Sequence, residues 1–132
     1  MLDNTLTLAV DVANDANTVN QVYDRYDEYQ NRSVYIGPNH TVVAPNTLSF
    51  YRTQPKVAGN FPGMAKSAIK FSEAQAIDGV DGTTLSAPAI VEVSFAFPVG
   101  TSAAKMVELR QRAIALLDTD AVMDDLNGLL MI

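Results

Sequence analysis

The sequence predicts an α+β fold, an antiparallel meander followed by two C-terminal helices. Three observations predict it. Apolar and polar residues alternate with period two in several segments of the first two-thirds, and the period changes to 3.6 after Pro98. Gly, Pro and Asp-Gly pairs punctuate the segments between. The 132 residues are enough for one domain, expected over 1–132 with the sheet in about 1–98 and the helices in about 101–129.

Thr5 to Val12 alternates as a half-buried strand, and Asn14 to Asn17 is a turn cluster. From Val19 the pattern is loose: a return strand fits, and so does a helical turn, because Tyr23, Tyr26 and Tyr29 are three apart. Ser33 to Ile36 is a short strand stopped by Gly37-Pro38. Thr47 to Tyr51 puts Leu48 and Phe50 on one face and Thr47, Ser49 and Tyr51 on the other. In Lys66 to Ser72, Ile69 and Phe71 oppose Lys66, Ala68, Lys70 and Ser72. Ala74 to Pro88, with Asp78-Gly79 and Asp81-Gly82, is expected to be a loop. Ile90 to Phe97 alternates most clearly, with Val91, Val93, Phe95 and Phe97 against Ile90, Glu92, Ser94 and Ala96.

Gly100-Thr101-Ser102 supplies a break and an N-cap. Met106, Leu109, Ala113 and Leu116 then line one helical face, and Val107, Ile114 and Leu117 form a second apolar strip. Asp118-Thr119-Asp120 recaps the chain, and Val122, Met123, Leu126 and Leu129 are the inward positions of a second helix.

This pattern poses a packing problem. Three strands share one apolar face, and the first helix is apolar around more of its circumference than a surface helix needs. Pattern alone leaves two solutions: helices folded back on their own sheet, or helices exchanged with a partner copy.

Several function classes lose support. No apolar run approaches the ~20 residues of a membrane helix, and Met1 to Asn4 lacks the basic start of a secretory signal. Absence of cysteine rules out disulfides and thiolate metal sites. The single histidine, His40, lies in a polar loop, where a solvated role is the ordinary one. Asp24, Asp27 and Glu28 read as a solvated acidic turn rather than a metal site. Asp124 and Asp125 read as dipole-complementing acids. No phosphate loop or dinucleotide fingerprint occurs, so no cofactor and no enzymatic activity are expected.

Charge points elsewhere. The net charge is −6, yet no acid occurs between Tyr29 and Ser72, a stretch holding Arg32, Arg52, Lys56, Lys66 and Lys70. Nucleic-acid contact depends on the local field, so a basic sheet can bind RNA on an acidic protein.

Residues Ile90 to Phe97, Lys105 to Leu117 and Ala121 to Leu129, preceded by Thr47 to Pro55 and Lys66 to Ser72, resemble the coat proteins of single-stranded RNA phages, the levivirus-like family and its Qβ-like branch. The resemblance covers 47–129 and rests on order, length and strand pattern rather than on a diagnostic motif. It implies an intertwined homodimer with helices packed on the partner's sheet, assembled into an icosahedral shell. It implies genomic RNA on the inner sheet face, translational repression through an RNA hairpin, and the phage maturation protein as a further partner. The location implied is the virion, after synthesis in the bacterial cytoplasm. Thr47, Ser49 and Lys70 match RNA-contacting positions of the family, and Tyr51, Lys66, Ser72, Glu92 and Ser94 share their face. Met106, Leu109, Ala113 and Leu116 are the expected dimer interface. Two departures are visible: Ile90 stands where some members have a base-stacking tyrosine, and Ala68 where a threonine is common. A different class, a non-viral α+β dimer binding a small molecule or protein in a cleft, is the alternative.

Overall fold

The computed structural model describes residues 2–128. Six antiparallel strands form one sheet in sequence order: β1 (Thr5–Val10), β2 (Val19–Tyr29), β3 (Arg32–Ile36), β4 (Asn46–Thr53), β5 (Met64–Asp78) and β6 (Thr84–Pro98). Helices α1 (Ala103–Leu117) and α2 (Asp120–Gly128) follow. The α+β meander read from the alternation is present. Leu129, placed among the inward positions of α2, lies outside the described residues.

One open reading resolves and one expectation is corrected, each for an identifiable reason. The tyrosines at positions 23, 26 and 29 belong to β2, not to a helical turn. The register against β3 shifts between Arg25 and Asp27, so one extra residue interrupts the period-two pattern. Tyr23 is consequently buried, while Tyr26 and Tyr29 are exposed. The correction concerns Ala74 to Pro88, expected as a loop. Its residues continue β5 and begin β6, paired from Ala74↔Pro88 to Asp78↔Thr84, leaving only 79–83 as the turn. Because β4 pairing stops at Asn46↔Glu73, this end is a two-stranded ribbon projecting beyond the sheet.

Opposite residues in an antiparallel pair share a face. One face carries Leu6, Leu8, Tyr23, Tyr35, Leu48, Phe50, Ile69 and Phe71, and the core forms there around Tyr23, Tyr35 and Leu48. Phe71 meets Tyr23 edge-on at 6.3 Å, and Phe50 meets Tyr35 at 5.6 Å. The N-terminal segment is fastened across this face. The Tyr35 hydroxyl donates to the Asp3 carbonyl at 2.6 Å, Arg25 donates to the Leu2 carbonyl, and Leu2 packs against the cluster. The Arg25 guanidinium also lies over the Tyr35 ring, 5.9 Å from its centroid.

The turn between β4 and β5 depends on Gly63. Its φ is +104°, and a Cβ there would stand 2.5 Å from the Lys56 carbonyl oxygen. Glycine alone tolerates both the conformation and the approach.

Helix α1 begins where the sequence placed it. Ser102 is the N-cap, accepting from the Lys105 backbone N–H at 3.2 Å. Asp118 closes it, donating its N–H to the Ile114 carbonyl at 2.9 Å. The helices then do something the alternation left open. Neither has a buried residue among those described, and no helical side chain packs on the core cluster. The helices therefore do not fold back to cover their own sheet. Val91 on the apolar face of β6 remains 59% exposed. Total accessible surface is 10051 Å², whereas a compact monomer of 14.2 kDa exposes about 6,800 Å².

Candidate nucleic-acid interface

The second sheet face assembles the residues that the alternation grouped. Register places Thr47 opposite Ser72, Ser49 opposite Lys70, Tyr51 opposite Ala68, and Thr53 opposite Lys66. Across β5 and β6, Lys66 meets Ala96, Ala68 meets Ser94, Lys70 meets Glu92, and Ser72 meets Ile90. Thus Thr47, Ser49, Tyr51, Lys66, Lys70, Ser72, Glu92 and Ser94 all occupy one surface. A one-residue slip would have turned each of them inward.

Their accessibility differs. Lys66, Glu92 and Ser94 are exposed, and Thr47, Tyr51, Lys70 and Ser72 are half-buried. Ser49 is 5% exposed, so it lies in the floor rather than at the surface.

The acid-free stretch does not map to this face as a whole. Arg32, Lys66 and Lys70 lie on it, but Arg52 pairs with Ser67 on the opposite face, and Lys56 is in the β4–β5 connection. Nor are the cations unopposed. Glu92 is the direct cross-strand neighbour of Lys70, and Asp24 and Asp27 share the face on β2. The field is thus most positive between Arg32 and Lys66, with acids at two margins.

Arg32 is the residue that strand alternation did not single out. It pairs with Tyr51 across β3 and β4, and its guanidinium lies 5.3 Å from the centroid of the tyrosine ring. Strand periodicity identifies faces but not partners, so the Arg32–Tyr51 pairing had no signal within either strand alone.

Helical candidates present a different surface. Met106, Leu109 and Leu116 are 36%, 38% and 55% exposed, Ala113 is half-buried, and Val107, Ile114 and Leu117 are also exposed. Lys105 and Arg112 both hydrogen-bond Glu108, at 3.2 Å in the case of Lys105. These bonds and the positive charge of Arg112 hold the Glu108 carboxyl below its ordinary range.

Among the described residues there is no group of three His, Cys, Asp or Glu side chains placed to hold a metal. Nor, among them, is any helix long and apolar enough to cross a membrane.

The chain matches no protein-family model and no curated protein by sequence. Its fold does match solved structures. A chain of the virus-like particle of bacteriophage AVE019 superposes with a TM-score of 0.76 at 17% identity, covering 96% of this chain and 95% of that one. One from the virus-like particle of Wenzhou levi-like virus 4 gives 0.71 at 18% identity, covering 92% and 82%. One from the virus-like particle of Beihai levi-like virus 32 gives 0.62 at 20% identity, covering 79% and 78%. The AVE019 superposition covers 96% of this chain, so it extends well before residue 47, where the sequence resemblance is vague.

Proposed function

We propose that this chain is a structural coat protein of a levi-like RNA phage, a homodimer that self-assembles into an icosahedral shell around RNA. The observation that carries the reading is the uncovered apolar surface on a fold shared with particle-forming chains. Helices α1 and α2 leave their own sheet, and β6 ends the sheet with a free edge of 15 residues. A second copy supplies what is missing: its helices cover this sheet's apolar face while these helices cover its own. Met106, Leu109, Ala113 and Leu116 are the contact positions. The excess over a compact monomer is roughly 3,000 Å² per chain, or roughly 6,000 Å² for two, at the upper end of the total area that obligate dimers bury.

The opposite face lines the interior in this reading. Arg32, Lys66 and Lys70 meet phosphates, while Thr47, Ser49, Tyr51, Ser72, Glu92 and Ser94 surround them with hydrogen-bonding groups. Packaging of genomic RNA follows from that surface. Repression of translation through one hairpin, and contact with the maturation protein in the virion, are the family roles that complete the proposal. The protein is made in the bacterial cytoplasm and needs no cofactor or enzymatic activity.

Expression in bacteria followed by sedimentation and electron microscopy tests the assignment. Closed, uniform particles containing host RNA are expected. A chain that stays monomeric at high concentration, with no particles in micrographs, overturns it.

A further inference from the structure

β1 is an end strand of the sheet, and no described strand or helix runs along its outer side. Which of its backbone groups point outward follows from one bond. The Arg25 N–H donates to the Asn4 carbonyl at 2.7 Å, and the register then continues one to one from Thr5↔Asp24 to Val10↔Val19. Bonded and non-bonded pairs alternate along an antiparallel ladder, so Leu6, Leu8 and Val10 direct their N–H and C=O groups at β2. Thr5, Thr7 and Ala9 direct theirs away from the sheet, and all three residues are exposed. Sheets guard such an edge with charged residues, proline, a bulge or a covering element. β1 has none of these: Thr5 to Val10 holds no charge, proline or glycine, and its ladder has no register shift.

The strand that complements this edge is another copy of itself. In the antiparallel register centred on Leu8, Leu8 of one copy lies beside Leu8 of the other, and Leu6 lies beside Val10. Leu6, Leu8 and Val10 share the apolar face of the sheet, so that face continues across the junction. Thr7 stands opposite Ala9 on the polar face. These two residues exchange both backbone bonds, because theirs are the outward-pointing groups. No like charges meet anywhere along the pairing.

We infer that β1 pairs in this way with β1 of a second dimer, joining the two sheets about a two-fold axis at Leu8. The inference rests on the coat-protein reading above and supplies a contact between dimers, which a closed shell needs in addition to helix exchange. β1 and β6 are opposite ends of the sheet. One chain can therefore hold its dimer partner on the β6 side and a neighbouring dimer at β1.

Proline separates the edge from the ladder. Thr7→Pro and Ala9→Pro each remove an outward N–H and leave the bonds to β2 in place, a substitution that edge strands tolerate. By symmetry each deletes one hydrogen bond from either copy. The concentration at which purified full-length dimers assemble should rise about 25-fold, about fivefold for each bond. Dimer formation, measured by sedimentation, should not change. The chain has no cysteine, which allows a direct second measurement. Leu8→Cys places two thiols across a non-hydrogen-bonded pair, where Cα atoms stand about 4.5 Å apart and a disulfide fits. Oxidised Leu8→Cys particles should run as linked pairs on a non-reducing gel, and unassembled dimers should not. Leu6→Cys is the control, since its equivalent lies about 13 Å away in this register, and its particles should stay unlinked. Should the proline variants fail to dimerise, the two cysteine variants decide alone. Proline variants that assemble at the wild-type concentration overturn β1 self-pairing and leave the coat-protein assignment standing. So do Leu8→Cys particles without links, or equal linking in Leu6→Cys. A wild-type chain that forms no particles overturns the coat-protein reading, and this inference with it.

Discussion

Asn14 and Asp120 are 106 positions apart, and the Asn14 side-chain amide donates a 2.9 Å hydrogen bond to the Asp120 carboxylate. The bond ties the β1–β2 turn to the first residue of α2. The turn is itself braced, since the Asp11 carboxylate accepts from the backbone N–H groups of Asp15 and Ala16, both at 2.9 Å. Asn14 has φ +54°, a conformation asparagine tolerates better than most residues. With the helices standing clear of the core, this bond links the start of α2 to the β1–β2 turn. Asn14→Ala should raise hydrogen-exchange rates through α2 several-fold and leave those of β3 and β4 unchanged. Uniform rates in wild type and variant would remove the bond from that role.

Leu109 tests the exchanged-helix dimer. In the single chain its side chain is 38% exposed, so truncation would cost little there. Under a partner's sheet, Leu109→Ala should cost ~2–5 kcal/mol through the cavity it leaves. Dimer dissociation measured by sedimentation equilibrium, and the yield of particles, should both respond. Unchanged association would place Leu109 outside the interface.

The lysines test the interior face. Removing one lysine that neutralises a phosphate should reduce the log–log salt slope of RNA binding by about 0.7–0.9. Lys66→Ala should have a larger effect than Lys70→Ala, because Lys70 has Glu92 directly across the strand pair. Glu92→Gln should accordingly tighten binding at low salt. The double alanine variant should remain folded. If its affinity matches wild type across the whole titration, these lysines do not hold the RNA.

Tyr23 gives the fold an alkaline limit. Burial raises its phenol pKa above the ordinary value near 10, and the negative charge of Glu73 adds to the shift. A group whose folded pKa is raised contributes stability that is complete below its unfolded pKa and lost as pH rises through the folded one. The melting temperature should therefore fall above about pH 10, and Tyr23→Phe should diminish that fall. Tyr23→Phe with an unchanged alkaline profile would assign the loss to other groups.

How much of this was legible depends on which interactions are local. The faces of β4, β5 and β6 follow from period two, so Leu48 and Phe50, or Lys66 and Lys70, separate correctly without knowledge of strand partners. The ribbon at Ala74 to Pro88 was hidden by its composition. Small residues and two Asp-Gly pairs imitate a loop, and the turn needs only one of those pairs at its centre. In β2 a single extra residue near Tyr26 was enough to erase the alternation. The positions of Arg32 beside Tyr51 and of Asn14 beside Asp120 are pairings across the fold, and no periodicity within a segment encodes them. The apolar excess on α1 was visible, but a pattern can say that a face must be covered without saying which chain covers it.

The small interior described for the single chain, centred on Tyr23, Tyr35 and Leu48, has a kinetic consequence. In the proposed dimer, where a partner covers the apolar face that the single chain leaves open, folding becomes a second-order reaction. Its half-time should shorten in proportion to concentration, and its apparent melting point should climb with dose rather than stay constant. In a cell, the first copies synthesised would linger as partly dressed intermediates, and later copies would mature faster than the ones that preceded them.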